Sequence, residues 1–301
     1  MRIAVVGDSV CWGQGLLPQH KFAYIIAQRL GVPFQGVSFQ PHSGADIGVG
    51  YDGQTQVLAG EIPVSGPTIM KQISQIADPA AYDLVLINGG INDVGVETIL
   101  NLSVSKPALH ESTWKFCWHD MKTLLEAALT AFTNPLCRFR VIGYYPILSN
   151  ASNLVPADGV DHIEHLLKIH GLHLPLGELR DPISAELCLR ALNFWRDSED
   201  ALRLAVAETA TTFGLKDRIR FVPTGFGEVN ALFAPDPKLF GFNLPDFSPQ
   251  DEVIESRTSS CDLVFSKPWE YLQKEMCHRA SVGHPNVAGA AQIADAILAT
   301  L

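Results

Sequence analysis

Four short apolar runs constrain this chain most: Ile3 to Val6, Leu84 to Ile87, Val141 to Tyr145 and Ile219 to Val222. Only Arg220 interrupts them with a charged residue. A strand that is apolar on both sides must be covered on both sides, which is the condition of a parallel sheet wrapped by helices. A fifth run, Phe34 to Phe39, alternates and suits an edge strand. Helical patterns fall between the runs. Phe22 to Leu30 closes on Gly31, and Ile69 to Ala77 closes on Asp78-Pro79. Trp114, Cys117, Met121, Leu124, Leu125, Ala128 and Phe132 mark one helical face, with Ser112 or Thr113 at its start. A further helix spans about Ala185 to Phe213 before Gly214, and a last one runs from Pro285. Strands alternating with helices imply right-handed crossovers and a doubly wound three-layer α/β domain.

Two stretches break this rhythm, at about 150–184 and 223–283. The first carries four histidines, and the second is rich in Pro, Phe and polar residues. Both follow strands, so both are expected at the carboxyl edge of the sheet, where such folds bind ligands. They read as insertions forming a substrate wall or lid within one domain over 1–301. Charge narrows the partners. With 32 acidic against 22 basic residues, the formal net charge of -10 argues against nucleic acid and against attachment to an anionic membrane. The opening apolar run stops after four residues, too short for a signal-peptide core or a membrane span. Cytoplasmic location is the expectation, with a processed secreted form as the alternative and no stable membrane insertion. Six scattered cysteines without a C-x-x-C pair read mostly as small buried hydrophobes. Oligomeric state is not readable.

The chemistry-bearing residues lie at strand ends. The first strand runs into Gly7-Asp8-Ser9, which exposes a serine hydroxyl on the catalytic edge; the same tripeptide also suits an ordinary turn. Gly44 follows the second strand, where a missing side chain lets a backbone N–H approach a substrate oxygen. The third strand ends in Asn88-Gly89-Gly90-Ile91-Asn92-Asp93, and Asn92 there can donate its amide. Gly283-His284-Pro285-Asn286 opens the last helix and offers an imidazole suited to general-base work.

Taken in order, these four blocks resemble the SGNH (GDSL) hydrolase family of lipases and esterases, with Ser9, Gly44, Asn92 and His284 as the four signature residues. The resemblance implies a flavodoxin-like α/β/α sandwich with a five-stranded parallel sheet. It implies hydrolysis of a small-molecule or lipid ester, without a cofactor or metal, through an acyl-enzyme on Ser9. His284 would be the base, and the N–H groups of Ser9 and Gly44 with the Asn92 amide would form the oxyanion hole. An acyltransferase or a carbohydrate O-deacetylase using the same site, and a non-catalytic lipid- or sugar-binding relative, are the alternatives. One position departs from the pattern. The family has Asp three residues before the histidine, whereas this chain has Ser281. Either the Ser281 backbone carbonyl orients the His284 ring, or Asp262, Glu270 or Glu275 substitutes, or turnover is weak or lost; the first is favoured.

Weaker signals surround this core. Asp161, His162, Glu164, His165, His170 and His173 invite a metal reading, but the spacing suits a polar lid better. Cys11 lacks a cationic neighbour to activate it. Phe226, Phe233, Phe240, Phe242 and Phe247 read as packing, with an acyl pocket as the alternative.

Overall fold

In the computed structural model, described over residues 1–48, 67–154, 162–172, 180–242 and 251–301, five parallel strands form one sheet. They are β1 (Ile3–Val6), β2 (Val37–Phe39), β3 (Leu84–Ile87), β4 (Arg138–Ile142) and β5 (Ile219–Val222). Their order is β2-β1-β3-β4-β5, the flavodoxin-like arrangement. Every residue of β1 and β3 is buried, as a sheet covered on both faces requires. The helices are α1 (Ser9–Trp12), α2 (Phe22–Arg29), α3 (Ile69–Gln75), α4 (Ile91–Val94), α5 (Val96–Leu100), α6 (Lys106–Trp114) and α7 (Met121–Ala131). They continue with α8 (His162–Ile169), α9 (Arg180–Thr212), α10 (Ile254–Val264), α11 (Tyr271–His278) and α12 (Val287–Leu298).

The chain leaves β1 toward β2 on one side and resumes at β3 on the other. The crevice therefore opens at the carboxyl ends of β1 and β3, the switch point at which this topology places ligands. The runs Ile3 to Val6 and Leu84 to Ile87 end there, in Gly7-Asp8-Ser9 and Asn88-Gly89-Gly90.

Several boundaries differ from the sequence expectation: β2 begins at Val37, after a 3-10 turn at Phe34–Gly36, and α9 begins at Arg180 rather than Ala185. β4 begins at Arg138 rather than Val141, because Arg140 is buried and its charge masks the pattern. The Arg140 guanidinium donates to Thr300 Oγ1 at 2.7 Å and to the Thr300, Phe139 and Arg218 carbonyls. Tyr144 and Tyr145, expected inside the strand, lie beyond it. The helix expected from Ser112 or Thr113 begins at α6, where Ser105 Oγ accepts the Ala108 N–H at 3.3 Å. A π-helical stretch, Lys115–Asp120, joins α6 to α7. Pro285 precedes the last helix instead of starting it, since Asn286 Oδ1 takes the orphan Gly289 N–H at 3.0 Å and so is the N-cap.

The cysteines divide. Cys11, Cys117, Cys137 and Cys188 are buried thiols, whereas Cys261 and Cys277 form a disulfide between α10 and α11, which spacing had not signalled. With Phe265 they make a small cluster of their own, apart from the main core. Among the described residues no helix is long and apolar enough to cross a membrane.

Candidate active site

The end of β1 is locked from below. Gly7 has φ +150°, and a Cβ there would meet Asn88 Oδ1 at 2.1 Å. Gln72 clamps this glycine, accepting its N–H at 2.8 Å and donating to its carbonyl at 3.0 Å. Asp8 is fully buried and caps α1 by accepting the Val10 N–H at 2.8 Å. Asn88 Nδ2 and Tyr144 Oη each donate to the Asp8 carboxylate at 2.8 Å. Burial raises the Asp8 pKa, and the bonds from Asn88, Val10 and Tyr144 oppose that rise. The outcome is a fixed first residue of α1, and that residue is Ser9.

Ser9 Oγ lies 2.7 Å from His284 Nε2. Two residues 275 apart in sequence thus meet at the sheet edge. Gly44, with φ +77°, and Asn92 line the same cavity of about 350 Å³ as Ser9 and His284. Asn92 Nδ2 donates to the Ala45 carbonyl at 3.0 Å, and Asp93 accepts the Ile47 N–H at 3.1 Å. These two bonds tie the Gly44 loop to α4. Asn92 retains a second amide proton. Among the described residues no acceptor takes the Ser9 or Gly44 N–H. Burial, with Asp46 adding to it, pushes the Asp93 carboxyl up to about 7 against the pull of the Ile47 N–H.

His284 is carried by its backbone. Its N–H donates to the Ser281 carbonyl at 2.9 Å, and its own carbonyl accepts from Phe240 at 2.8 Å. The Ser281 carbonyl accepts this main-chain N–H and also favours the protonated ring, although among the described residues Nδ1 is buried without a hydrogen-bond partner. The three carboxylates considered as substitutes are committed elsewhere. Asp262 pairs with Lys274 and His278, Glu275 with Arg279, and Glu270 accepts the Lys267 N–H. What stands behind Ser281 is a cation. Arg257, fully buried and paired with buried Asp251, reaches the His278 carbonyl at 3.2 Å and the Ser281 hydroxyl at 3.5 Å. Burial pushes the His284 imidazole down to about 4; the Ser281 and Val282 carbonyls oppose the shift, and Arg257 and His170 add to it.

The wall draws on both insertions, with His170 from the segment read as a polar lid, while the apolar lining residues carried no individual signal. Ile147, Leu166, His170, Leu232 and Tyr145 line the cavity, and burial lowers the His170 imidazole to about 4. Asn88 and Tyr144 bear directly on Asp8 yet read as turn and strand residues. His162 and His165 lie on α8, while Asp161 and His173 fall outside the described residues. Among the described residues no three His, Cys, Asp or Glu side chains converge on a common point. Cys11 is buried, and desolvation holds its thiol well above the ordinary range. Phe226, Phe240 and Phe242 are core residues and Phe233 packs against them; none of the four lines the cavity, and Phe247 lies outside the described residues.

Neither a family model nor a curated protein matches this chain. Solved structures do. An extracellular lipase from Streptomyces rimosus superposes with a TM-score of 0.51 at 15% identity, over 100% of this chain and 97% of that one. The likeness is one of fold. A putative arylesterase from Agrobacterium tumefaciens gives a TM-score of 0.44 at 16% identity, covering 99% and 97% of the two chains. A family two carbohydrate esterase from Clostridium thermocellum gives 0.43 at 15%, covering 99% and 62%.

Proposed function

We propose that the chain is a serine hydrolase of carboxylic esters of the SGNH type, with Ser9 as nucleophile and His284 as general base. The observation that carries this reading is the 2.7 Å approach of Ser9 Oγ to His284 Nε2 inside a cavity that also presents Gly44 and Asn92. Ser9 Oγ attacks the acyl carbon while its proton passes to Nε2. The carbonyl oxygen becomes an oxyanion held by the N–H groups of Ser9 and Gly44 and by the Asn92 amide. His284 returns the proton to the departing alkoxide, leaving an acyl ester on Ser9. Water, deprotonated by the same ring, then cleaves that ester and restores the hydroxyl. The acyl group would rest against Ile91, Val96, Tyr145, Ile147, Leu166 and Leu232. Leu166 and His170 come from the first insertion, and Leu232, Phe265 and Met276 from the second, which supports their role as substrate walls within one domain.

A fluorophosphonate probe followed by peptide mapping tests the assignment. A single adduct on Ser9, lost after heat unfolding and absent in Ser9→Ala, is the expected result. The unpartnered Nδ1 favours one second reading, a lipid- or sugar-binding relative without turnover. A folded protein that takes no label would establish that alternative and end the first. The Cys261–Cys277 bridge also bears on location: disulfides persist in oxidising compartments, so it supports an exported form over the cytoplasmic expectation.

A further inference from the structure

Large apolar side chains crowd one exposed point of the surface. Leu263 is 81% exposed, Trp269 75% and Tyr271 60%, with Val264 and Met276 exposed beside them. Leu263, Val264, Trp269 and Tyr271 form the tip where α10 turns into α11, and Met276 lies further along α11 beside Cys277. Such a tip would lower its free energy by folding back onto the body. The Cys261–Cys277 bridge fastens the two helices to each other beneath it, in a cluster apart from the main core. The tip is also continuous with the cavity mouth, since Phe265, Gln273, Met276 and Cys277 of the same hairpin line the cavity.

Charge decides what the tip fits. The whole chain carries a formal -10, yet across 262–279 the acids Asp262, Glu270 and Glu275 are matched by Lys267, Lys274 and Arg279. These groups are largely engaged with one another: Lys274 bonds Asp262 at 2.9 Å and Arg279 meets Glu275 at 3.4 Å. The Lys267 ammonium lies 5.4 Å from the Trp269 ring centroid. An apolar, charge-cancelled surface bearing Trp and Tyr suits the boundary between water and an electrically neutral lipid phase. An anionic surface would be repelled by the rest of the molecule.

We propose that the α10–α11 tip docks on an electrically neutral lipid interface and draws its ester substrate from that phase into the cavity. The inference rests on the esterase reading for what happens next, but the docking itself does not need turnover. The test is flotation with phosphatidylcholine vesicles, using wild type, Ser9→Ala and the combined variant Leu263→Ser, Trp269→Ser, Tyr271→Ser. Wild type and Ser9→Ala are expected to float equally. The triple variant should bind more than about tenfold more weakly, as loss of three apolar anchors implies. It should still hydrolyse a short monomeric nitrophenyl ester at the wild-type rate, because none of the three residues lines the cavity. Equal flotation of the triple variant would overturn the proposal, as would absence of flotation by wild type. Preference for vesicles containing phosphatidylserine would do the same. Light scattering that shows wild type, but not the triple variant, pairing through the tip would assign the surface to a second copy instead. If vesicles are bound but no ester is cleaved, the esterase reading fails and the docking stands; a short ester cleaved without vesicle binding gives the reverse.

Discussion

The two halves of the site are built by different means. The nucleophile side is a closed hydrogen-bond network in the sheet core, in which Gln72, Asn88 and Tyr144 fix Gly7 and Asp8. The base side hangs on main-chain bonds to Phe240 and Ser281, with an Nδ1 that has no hydrogen-bond partner among the described residues and a buried cation behind it. Arg257 there keeps Nε and Nη1 without acceptors among the described residues. Rigidity on one side comes from satisfied polar groups, and on the other from chain path alone. The proposed nucleophile, Ser9, is thus held at the switch point by the fold itself, whereas the proposed base, His284, depends on the later turn that delivers it.

This contrast can be broken by substitution. The largest effect is expected from Ser9→Ala or His284→Ala, each lowering kcat by about 10³-fold or more, with the double variant no worse than either single one. Additive losses in steady-state kinetics would show that the two do not act as a unit. Asn92→Ala should cost about 10²- to 10³-fold in kcat with little change in KM, as removal of one oxyanion donor does. Tyr144→Phe tests the other side of the comparison. It strands the Asp8 carboxylate and the Ile91 N–H that Tyr144 Oη accepts at 3.0 Å, so urea unfolding should show a loss of about 1–3 kcal/mol.

Ser281→Ala is expected to change kcat/KM by no more than a few fold, because the main-chain bond from His284 survives. Its pH profile should keep the wild-type form. An imidazole lowered to about 4 stays neutral, and able to accept a proton, at every pH above that value, so the acid limb should lie near pH 4. A limb between pH 6 and 7 would mean the ring titrates as an ordinary histidine. The same shift acts on stability. The unfolded ring takes up its proton from about pH 6.5 downward, so this group's contribution is complete above 6.5 and is lost as pH falls toward 4.

How far the sequence reveals this molecule follows the same division. β1 and β3 stand where unbroken apolar runs put them, because full burial leaves no choice of residue, and β5 stands on its run although Arg220 within it is exposed. β4 hid behind Arg138 and Arg140, whose charges are satisfied by carbonyls that no local pattern displays. Ser9 and His284 were legible as motif residues, and their meeting follows from the strand order. The wall was legible as two insertions but not residue by residue, since nothing local distinguishes a lining leucine such as Leu166 or Leu232 from a core one. Ser281 marked a departure, but Arg257 and Asp251, which stand behind it, are read only in three dimensions.

The 275-residue separation of Ser9 and His284 has a consequence for biosynthesis. β1 lies at the middle of the sheet, so the serine end of the pair is emplaced with the first strands. Its partner is synthesised 275 residues later. No amino-terminal fragment that stops short of position 284 contains the pair. Closing so long a loop must wait until other contacts have shortened it. On the proposed function, activity would therefore require the chain to be made at least through position 284.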